Sequence, residues 1–354
     1  MLKITGMLDP HTHLRDMDWA HKATFTSETR AAIAGGYTAV FDMPNTPPNT
    51  TSTANLQTKL DKLDAGALCD YGVYFGASQD DNTAEYAALN SVCGLKIFCN
   101  DTTGSLLVGK AEDQQKHIAA WPTGRVISVH AEGETVKQIL GIVRQQRKHV
   151  HFLHISTAEE INMLRTAKEE GLPVSIGVCP HHLYLTHDDL PALGPLGLMK
   201  PELKTKQDRD ALWQALADGV VDVIESDHAP HTLAEKHNEK GHPVYGVPGL
   251  ETTLPLMLLA VKEGRLPMEQ LSDLLARNPR KIFGVPIDRA TCTIIDPEMA
   301  YTITNDTLHT QAGWTPFAGM QVYGAVREVW IRGQQVYDGE RFLIEPGYGE
   351  NIFV

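Results

Sequence analysis

Two histidines placed one residue apart, His11 and His13, are the first residues of the chain whose spacing suggests chemistry. They follow the apolar run of residues 2–8, which is typical of a β-strand. Side chains two residues apart on a strand project from the same face, so both imidazoles would point to one place, as a metal site requires. A His-x-His pair alone is weak evidence for a metal. Its value depends on further ligands elsewhere in the chain.

Four more potential donors lie in or just after later apolar runs: Lys96, His130, His154 and Asp227. A buried lysine is costly unless it is paired or neutral. A neutral amine can react with carbon dioxide to form a carbamate, which resembles a carboxylate and can bridge two cations. The alternative for Lys96 is an edge-strand lysine whose amine reaches water. Independent core histidines would not be expected to choose the same end of several strands.

These donors suit zinc, because imidazole nitrogen and carboxylate oxygen are common zinc ligands. They divide between two metals: His11, His13 and Asp227 for one, His130 and His154 for the other, with carboxylated Lys96 as the bridge. Two metals about 3.5–4 Å apart acidify a shared water and polarise a carbonyl oxygen. Asp227 could accept the proton of the metal-bound hydroxide and pass it to a departing nitrogen. The set predicts hydrolysis of an amide, of a cyclic amide if the cavity is ring-sized, and the reverse ring closure.

Eight apolar runs would position these groups: 4–9, 37–42, 71–75, 94–98, 126–130, 150–154, 173–178 and 220–225. Helix-length segments separate most of them, which indicates an α/β fold with a parallel sheet. Eight such units predict a (β/α)₈ TIM-type barrel, whose active sites lie at the C-terminal ends of the strands. We expect residues 6–284 to form the barrel. Residues 1–5 and 285–354 are expected to form a small flanking β layer, with an extended segment over 326–336.

Composition excludes several classes of partner. The chain has 354 residues, 42% of them hydrophobic, and a formal net charge of −13 without a basic run. This balance argues against nucleic acid and anionic membranes. There is no apolar run of membrane-spanning length and no signal-peptide pattern. The five cysteines form no paired spacing, so we expect reduced thiols in a cytoplasmic protein.

Several motifs together resemble one family. They are Asp-Pro-His-Thr-His-Leu-Arg-Asp (9–16), Met-Pro-Asn-Thr (43–46), Gly-Leu-Lys-Ile-Phe (94–98), Val-His-Ala-Glu (129–132) and Ser-Asp-His-Ala-Pro-His-Thr (226–232). The set is similar to the dihydroorotases of the amidohydrolase superfamily, most closely to the dihydroorotase domain of the animal multienzyme of pyrimidine synthesis. The likeness spans nearly the whole chain in the same order.

This resemblance implies reversible cyclisation of N-carbamoyl-L-aspartate to L-dihydroorotate, with two zinc ions. It implies that Arg15, Asn45 and His231 hold the substrate carboxylate, and that backbone near Gly249 contacts the ring. Thr102 would belong to a mobile loop over residues 100–107. The resemblance also implies a homodimer and association with aspartate transcarbamoylase.

Plainer interpretations exist for several of these residues. Arg15 could pair with Asp16 or Asp18, and Asn45 could belong to an ordinary strand-to-helix loop. Three further histidines are expected to be structural, or to support ligands, rather than to bind metal: His181, His182 and His228.

Three positions depart from the family pattern. Gly177 stands where the animal relative has a glutamate associated with a third metal, so two metals are predicted. Lys200 stands where arginine is common, and a lysine cannot copy the guanidinium fork. Thr103 replaces an aromatic residue in the mobile loop, so the behaviour of that loop is expected to differ.

Two other functions share parts of this pattern. A hydantoinase or allantoinase would share the metal ligands, but a neutral ring has no need of the carboxylate clamp that Arg15 and Asn45 would provide. A metal-free relative that only scaffolds a partner such as aspartate transcarbamoylase would have lost a ligand. All six predicted ligand positions are filled in this chain, which favours a dihydroorotase.

Overall fold

The computed structural model describes residues 1–238 and 241–354. The strands are β1 (Leu2–Thr5), β2 (Met7–Thr12), β3 (Tyr37–Asp42), β4 (Asp70–Gly76), β5 (Gly94–Phe98), β6 (Ile127–His130), β7 (Val150–Phe152), β8 (Val174–Val178), β9 (Val223–Ile224), β10 (Cys292–Thr302), β11 (Gln321–Ile331) and β12 (Gln334–Tyr337). The helices are α1 (Phe25–Ala34), α2 (Thr53–Gly66), α3 (Ala111–Ala120), α4 (Glu134–Gln146), α5 (Ala158–Glu169), α6 (Pro180–Tyr184), α7 (Leu190–Leu193), α8 (Lys206–Ala217), α9 (Leu233–Lys236), α10 (Leu250–Lys262), α11 (Met268–Ser272) and α12 (Asn278–Phe283). Short 3₁₀ turns cover Thr83–Ala88, His187–Asp189, Gly194–Gly197 and Asn305–Thr307, and a π-helical turn covers Asp273–Arg277.

Strands β2 to β9 form an eight-stranded sheet in sequential order, and every pairing in it is parallel. The sheet curves round so that its first and last members meet beyond their C-terminal ends. There the Thr12 and His228 backbones form a parallel bridge, and the His13 amide donates to the His228 carbonyl at 2.7 Å. The predicted (β/α)₈ barrel is therefore confirmed.

The sequence favours this arrangement locally. Strands β2, β3, β4 and β5 are buried at every position, which is typical of a parallel sheet covered on both faces. Helices α1, α5 and α8 each begin at a capping box, with Thr24, Thr157 and Thr205 as the N-cap residues. These caps fix where the chain leaves a strand end and enters a helix.

Two predicted elements are wrong in extent. The last barrel strand covers only Val223–Ile224. The Asp222 amide still donates to the Ile176 carbonyl at 2.9 Å, but the Ile176 amide donates to the Asp222 side chain, also at 2.9 Å, and not to a strand carbonyl. The extended segment predicted over residues 326–336 is broken at Arg332 and Gly333. Both residues have positive φ (50° and 80°), which matches the two-residue turn of a tight hairpin between β11 and β12.

The flanking β layer is a four-stranded antiparallel sheet in the order β1-β10-β11-β12, as predicted for the two termini. The rings of Phe41, Tyr74, Phe283 and Phe353 pack against one another edge to face. Within the described ranges, no helix is both long and apolar enough to span a membrane.

Candidate active site

A pocket lies at the C-terminal ends of the barrel strands. The structure brings all six predicted metal donors to its wall, together with Arg15, Asn45 and Thr102. His11 lies in β2 and His13 just after it, Lys96 lies in the middle of β5, and His130 ends β6. The backbone turns through the left-handed region at His154 (φ 39°) and Asp227 (φ 44°), which follow the ends of β7 and β9. Positive φ is uncommon outside glycine and concentrates at functional sites.

The donor atoms lie within a few ångströms of each other. Nε2 of His11 and Nε2 of His13 are 3.2 Å and 3.4 Å from the same Asp227 oxygen. Nδ1 of His130 is 2.9 Å from Nε2 of His154, and the rings of His11 and His154 are centred 5.0 Å apart. The donor atoms thus form two adjacent clusters, one around Asp227 and the other around His130 and His154.

Lys96 lies beside these clusters with its amine in contact range of the Phe98 ring, 4.6 Å from the ring centre. The side chain is fully buried, and in the described part of the chain its Nζ has no hydrogen-bond partner. Burial lowers the pKa of Lys96 to about 7, which makes a neutral, reactive amine accessible near neutral pH. His154 Nδ1 is likewise buried without a partner among the described residues. These orphaned atoms and their chemistry fit a bound metal pair with a carboxylated lysine.

The protonation states also suit metal binding. Burial holds the pKa values of His11, His13 and His154 well below the usual value, and it lowers the pKa of His130. The rings are therefore neutral near pH 7 and have a lone pair to offer. Burial raises the pKa of Asp227 to about 6, with Lys96 and the nearby histidines opposing the rise. A carboxylate in that range can gain and lose a proton near neutral pH.

Arg15 is a cationic residue of the pocket wall, and it contacts the buried ring of His231, whose pKa burial lowers to about 3, so that the ring is neutral near pH 7. Arg15 Nε donates to the Pro230 carbonyl at 3.1 Å, and its Nη2 is 3.2 Å from His231 Nε2. Arg15 Nη1 is buried without a partner in the described chain. Neither Asp16 nor Asp18 is among the side chains that Arg15 contacts, since Asp16 instead pairs with Lys62 at 2.7 Å. The arginine is thus oriented by neutral groups, with one N–H edge available.

Asn45 connects His13 to the loop that contains Thr103. Its Oδ1 is 2.8 Å from Nδ1 of His13, and its Nδ2 donates to the Thr103 carbonyl at 2.8 Å. Thr103 Oγ1 in turn donates to the Tyr245 carbonyl at 3.0 Å. Thr102 and Thr103 both line the pocket, so the loop lies over it in this structure.

Two predicted substrate-binding residues, His231 and Gly249, are not among the residues that line the pocket. The Gly249 amide donates to Nδ1 of His228 at 3.1 Å, and His228 Nε2 is 2.7 Å from Glu28. His182 Nε2 contacts the Pro201 carbonyl at 2.9 Å, while Cys179, His181 and His182 form a second buried group of closely spaced donors. Lys200 lines the pocket and lies 3.2 Å from Glu202.

Sequence reasoning missed two ionisable residues beside the site. Glu225 is fully buried, and its Oε1 is 3.4 Å from Nδ1 of His11. Lys22 is nearly as buried, and its Nζ is 3.2 Å from Nδ1 of His231 and 3.2 Å from Glu235. Glu225 could have been noticed as an acidic residue at a strand end, two positions before Asp227. Lys22 had no such signal, because it lies in the loop before α1.

The amidohydrolase family model matches residues 2–336. The chain therefore belongs to the amidohydrolase family and is a hydrolase, as its barrel and the donors at the strand ends indicate. It is 34% identical over 372 residues to a dihydroorotase of Pyrococcus furiosus, with 99% of this chain and 84% of that protein covered. It is 40% identical over 353 residues to the multifunctional protein CAD of Squalus acanthias. That match covers 99% of this chain but only 16% of the CAD protein.

Solved structures share the fold. The L-hydantoinase (dihydropyrimidinase) from Arthrobacter aurescens superposes with a TM-score of 0.93 at 24% identity, covering 99% of this chain and 88% of that chain. The inactive dihydroorotase-like domain of a Chaetomium thermophilum CAD-like multifunctional protein gives a TM-score of 0.80 at 25% identity, covering 99% and 98%. Structural similarity alone therefore does not separate dihydroorotases from hydantoinases, or active domains from inactive ones.

Proposed function

We propose that the chain is a zinc-dependent dihydroorotase, which interconverts N-carbamoyl-L-aspartate and L-dihydroorotate in pyrimidine biosynthesis. The observation that carries the proposal is the convergence of four histidines, a buried unpaired lysine and Asp227 in one pocket beside the available edge of Arg15. The dihydroorotase relatives at 30% identity or more support the same activity.

Each residue has a role in this proposal. One zinc ion would be held by His11, His13 and Asp227. The other would be held by His130 and His154, and carboxylated Lys96 would bind both ions. Bound zinc would acidify the attacking water and polarise the carbonyl oxygen of the ring amide. Asp227 takes the proton of that water, and it returns a proton to the ring nitrogen as the C–N bond breaks. In ring closure the same carboxylate takes the proton from the ureido nitrogen.

Arg15 supports a substrate with a free carboxylate. Its guanidinium is held by Pro230 and His231 while Nη1 remains available. A guanidinium edge of this kind binds carboxylates well, and a neutral hydantoin ring would leave it unpaired. Asn45 and His231 would hold the same carboxylate, and backbone near Gly249 would contact the ring. Asn45 would have to exchange its present bond to Thr103 for one to the substrate.

The remaining parts of the proposal concern the setting of the enzyme. The similarity to CAD, a multifunctional protein, supports association with aspartate transcarbamoylase. The homodimer and the cytoplasmic location stay predictions.

The test is to measure bound zinc and the cyclisation of carbamoyl aspartate in the parent and in Lys96→Ala. We expect the parent to hold two zinc ions per chain, and the variant to lose both zinc and turnover by at least 100-fold, because the bridging group is gone. Lys116→Ala, which removes an exposed lysine far from the pocket, should behave as the parent does.

Three results would contradict the proposal. Full turnover in Lys96→Ala would exclude the carboxylated bridge. A parent that binds no zinc and closes no ring would favour an inactive scaffold, as in the Chaetomium thermophilum domain. Hydrolysis of hydantoins in preference to dihydroorotate would favour a hydantoinase.

A further inference from the structure

Glu225 is a buried carboxylate beneath the pocket, and it contacts two of the predicted metal-binding histidines. It follows β9 directly and has no exposed surface. Its Oε1 accepts the backbone amide of His154 at 2.6 Å and lies 3.4 Å from Nδ1 of His11. Its Oε2 is 3.2 Å from Nε2 of His151, whose Nδ1 is bonded to Ser175. One carboxylate thus contacts three histidines.

The contact with His11 defines which nitrogen this ring offers to the pocket. A carboxylate near Nδ1 favours the tautomer in which Nδ1 carries the hydrogen, which leaves Nε2 with its lone pair free. Nε2 of His11 is the atom that faces Asp227, at 3.2 Å. Glu225 therefore orients His11 for metal binding through Nε2.

The contact with His154 acts on the backbone. His154 has a φ of 39°, a conformation that is costly for a residue with a side chain. The short bond from its amide to Glu225 stabilises this turn, which directs the imidazole into the pocket. His11 and His154 are assigned to different zinc ions, so the same carboxylate holds one ligand of each.

Gly177 on the neighbouring strand β8 leaves the space that Glu225 occupies. A Cβ atom at position 177 would lie 2.5 Å from the carboxyl carbon of Glu225 and 2.5–2.6 Å from both of its oxygens. Gly177 has no positive φ, so its glycine is explained by this space and not by backbone conformation. Any side chain at position 177 would displace the Glu225 carboxylate.

We propose that Glu225 is a positioning residue that holds His11 and His154 in the orientations that metal binding requires. Gly177 is required because it leaves room for that carboxylate. This inference rests on the proposed two-metal site. It adds a residue outside the six ligands that determines how tightly the pair of ions is bound.

The test is a double-mutant cycle with Gly177→Ala, Glu225→Ala and the double variant, in the full chain. Zinc affinity is measured by competition with a chelator, and zinc content by elemental analysis. We expect Glu225→Ala to lower zinc affinity 10- to 100-fold, about the loss that follows removal of a group supporting a ligand. Gly177→Ala should lower it about 10-fold although it removes no atom. In the double variant, Gly177→Ala should cause no further loss of zinc affinity, because the carboxylate that it would displace is absent.

A control variant separates positioning from general destabilisation. Glu251→Gln alters another buried carboxylate, which accepts two backbone amides far from the predicted ligands. It should bind zinc as the parent does. At saturating zinc, Glu225→Ala should lower kcat and leave KM within about twofold, because Arg15 and Asn45 are unchanged.

The outcomes are distinct. Parent-like zinc affinity in either single variant, independent losses that add in the double variant, or an equal loss in Glu251→Gln would overturn the inference while leaving the proposed function intact. If Glu225→Ala does not fold, Gly177→Ala alone decides: full zinc affinity there contradicts the inference, and a loss supports it. A parent without zinc would instead overturn the proposed function itself.

Discussion

Three buried polar atoms of the pocket define what it can bind: Nζ of Lys96, Nη1 of Arg15 and Nδ1 of His154. Each lacks a hydrogen-bond partner within the described residues. A buried polar group left unpaired costs about 1–3 kcal/mol, and more if it is charged. The residues around these atoms are held by strands and by other hydrogen bonds, so the cost is not relieved by a small rearrangement. An anionic ligand near Arg15 and a carbamate on Lys96 would relieve it.

Arg15→Met tests the carboxylate clamp. We expect zinc content to be unchanged and KM for carbamoyl aspartate to rise about 10- to 100-fold, because a hydrogen-bonded ion pair contributes about 1.5–3 kcal/mol. Steady-state kinetics and elemental analysis on the same sample give both quantities. Arg15→Lys, which keeps the charge without the fork, should recover only part of the loss. Loss of zinc in Arg15→Met would mean that Arg15 supports the metal ligands instead.

The six donors could be predicted from sequence because each occurs in or just beyond an apolar run, and strand ends meet at one rim in a parallel barrel. The roles of Glu225 and Lys22 could not be predicted. Their contacts with His11 and His231 join residues more than 200 positions apart. Neither lies in a spacing pattern that reveals its partner, so only the packed structure identifies them.

Helix α5 is tied to two site loops by a single side chain. Glu160, 2% exposed, accepts the Gly133 amide at 2.7 Å, and its other oxygen accepts the Ser156 and Thr157 amides at 3.1 and 3.0 Å. Gly133 lies three residues beyond His130, and Ser156 lies two beyond His154. The first turn of α5 thus fixes the loops that carry both predicted ligands of one zinc ion.

Glu160→Ala is expected to lower the free energy of unfolding by about 2–4 kcal/mol, because it leaves buried amides unpaired and removes half of a capping box. Urea denaturation of the metal-free protein measures this change. Glu159→Ala, the neighbouring residue of the same helix turn, is the control and should change stability by less than about 0.5 kcal/mol. An equal loss in both variants would contradict the specific role of Glu160.

Most elements could be predicted from sequence because apolar runs and N-cap residues mark their boundaries. The short β9 could not be predicted. Residues 220–222 have the same apolar pattern as a strand, but the Asp222 side chain competes for the neighbouring amide. The turn at Arg332 and Gly333 interrupts a pattern that is otherwise continuous, and its glycine was the one available signal.

At the scale of the whole molecule, Glu251 joins the barrel to the flanking layer. It lies at the start of α10, and its carboxylate accepts the amides of His309 and Thr310 at 2.8 and 2.9 Å. Burial raises the pKa of Glu251 from 4.5 to about 7; the hydrogen bonds from the two amides oppose the rise, and the nearby Glu28 adds to it. The junction is therefore sensitive to pH.

The sign of this effect follows from proton linkage. Between pH 4.5 and 7 the folded chain binds more protons at Glu251 than the unfolded chain, so the contribution of this residue is full below pH 4.5 and is lost as the pH rises through 7. We expect the stability of the parent relative to Glu251→Gln to fall over that interval. Urea denaturation at several pH values checks it, and a constant difference would contradict a raised pKa.

The fold class followed from the eight alternating apolar runs, and the structure confirms it. The division of the chain into a barrel of residues 6–284 and a flanking segment stays a prediction. Although the chain has a net charge of −13, three cationic residues gather at or beside the pocket: Arg15, Lys22 and Lys200. The sequence pattern does not predict this group, because its members lie on loops far apart in sequence.

The bridge between Thr12 and His228 has a consequence for how the protein matures. Thr12 precedes His13 and His228 follows Asp227, so the contact that closes the barrel also brings together these two predicted ligands. A chain in which strands β2 and β9 have not yet met would hold only His130 and His154, the predicted ligands of one ion, near each other. Only molecules that have finished folding would then bind both metal ions. Release of metal would be an early sign that the contact between Thr12 and His228 has broken.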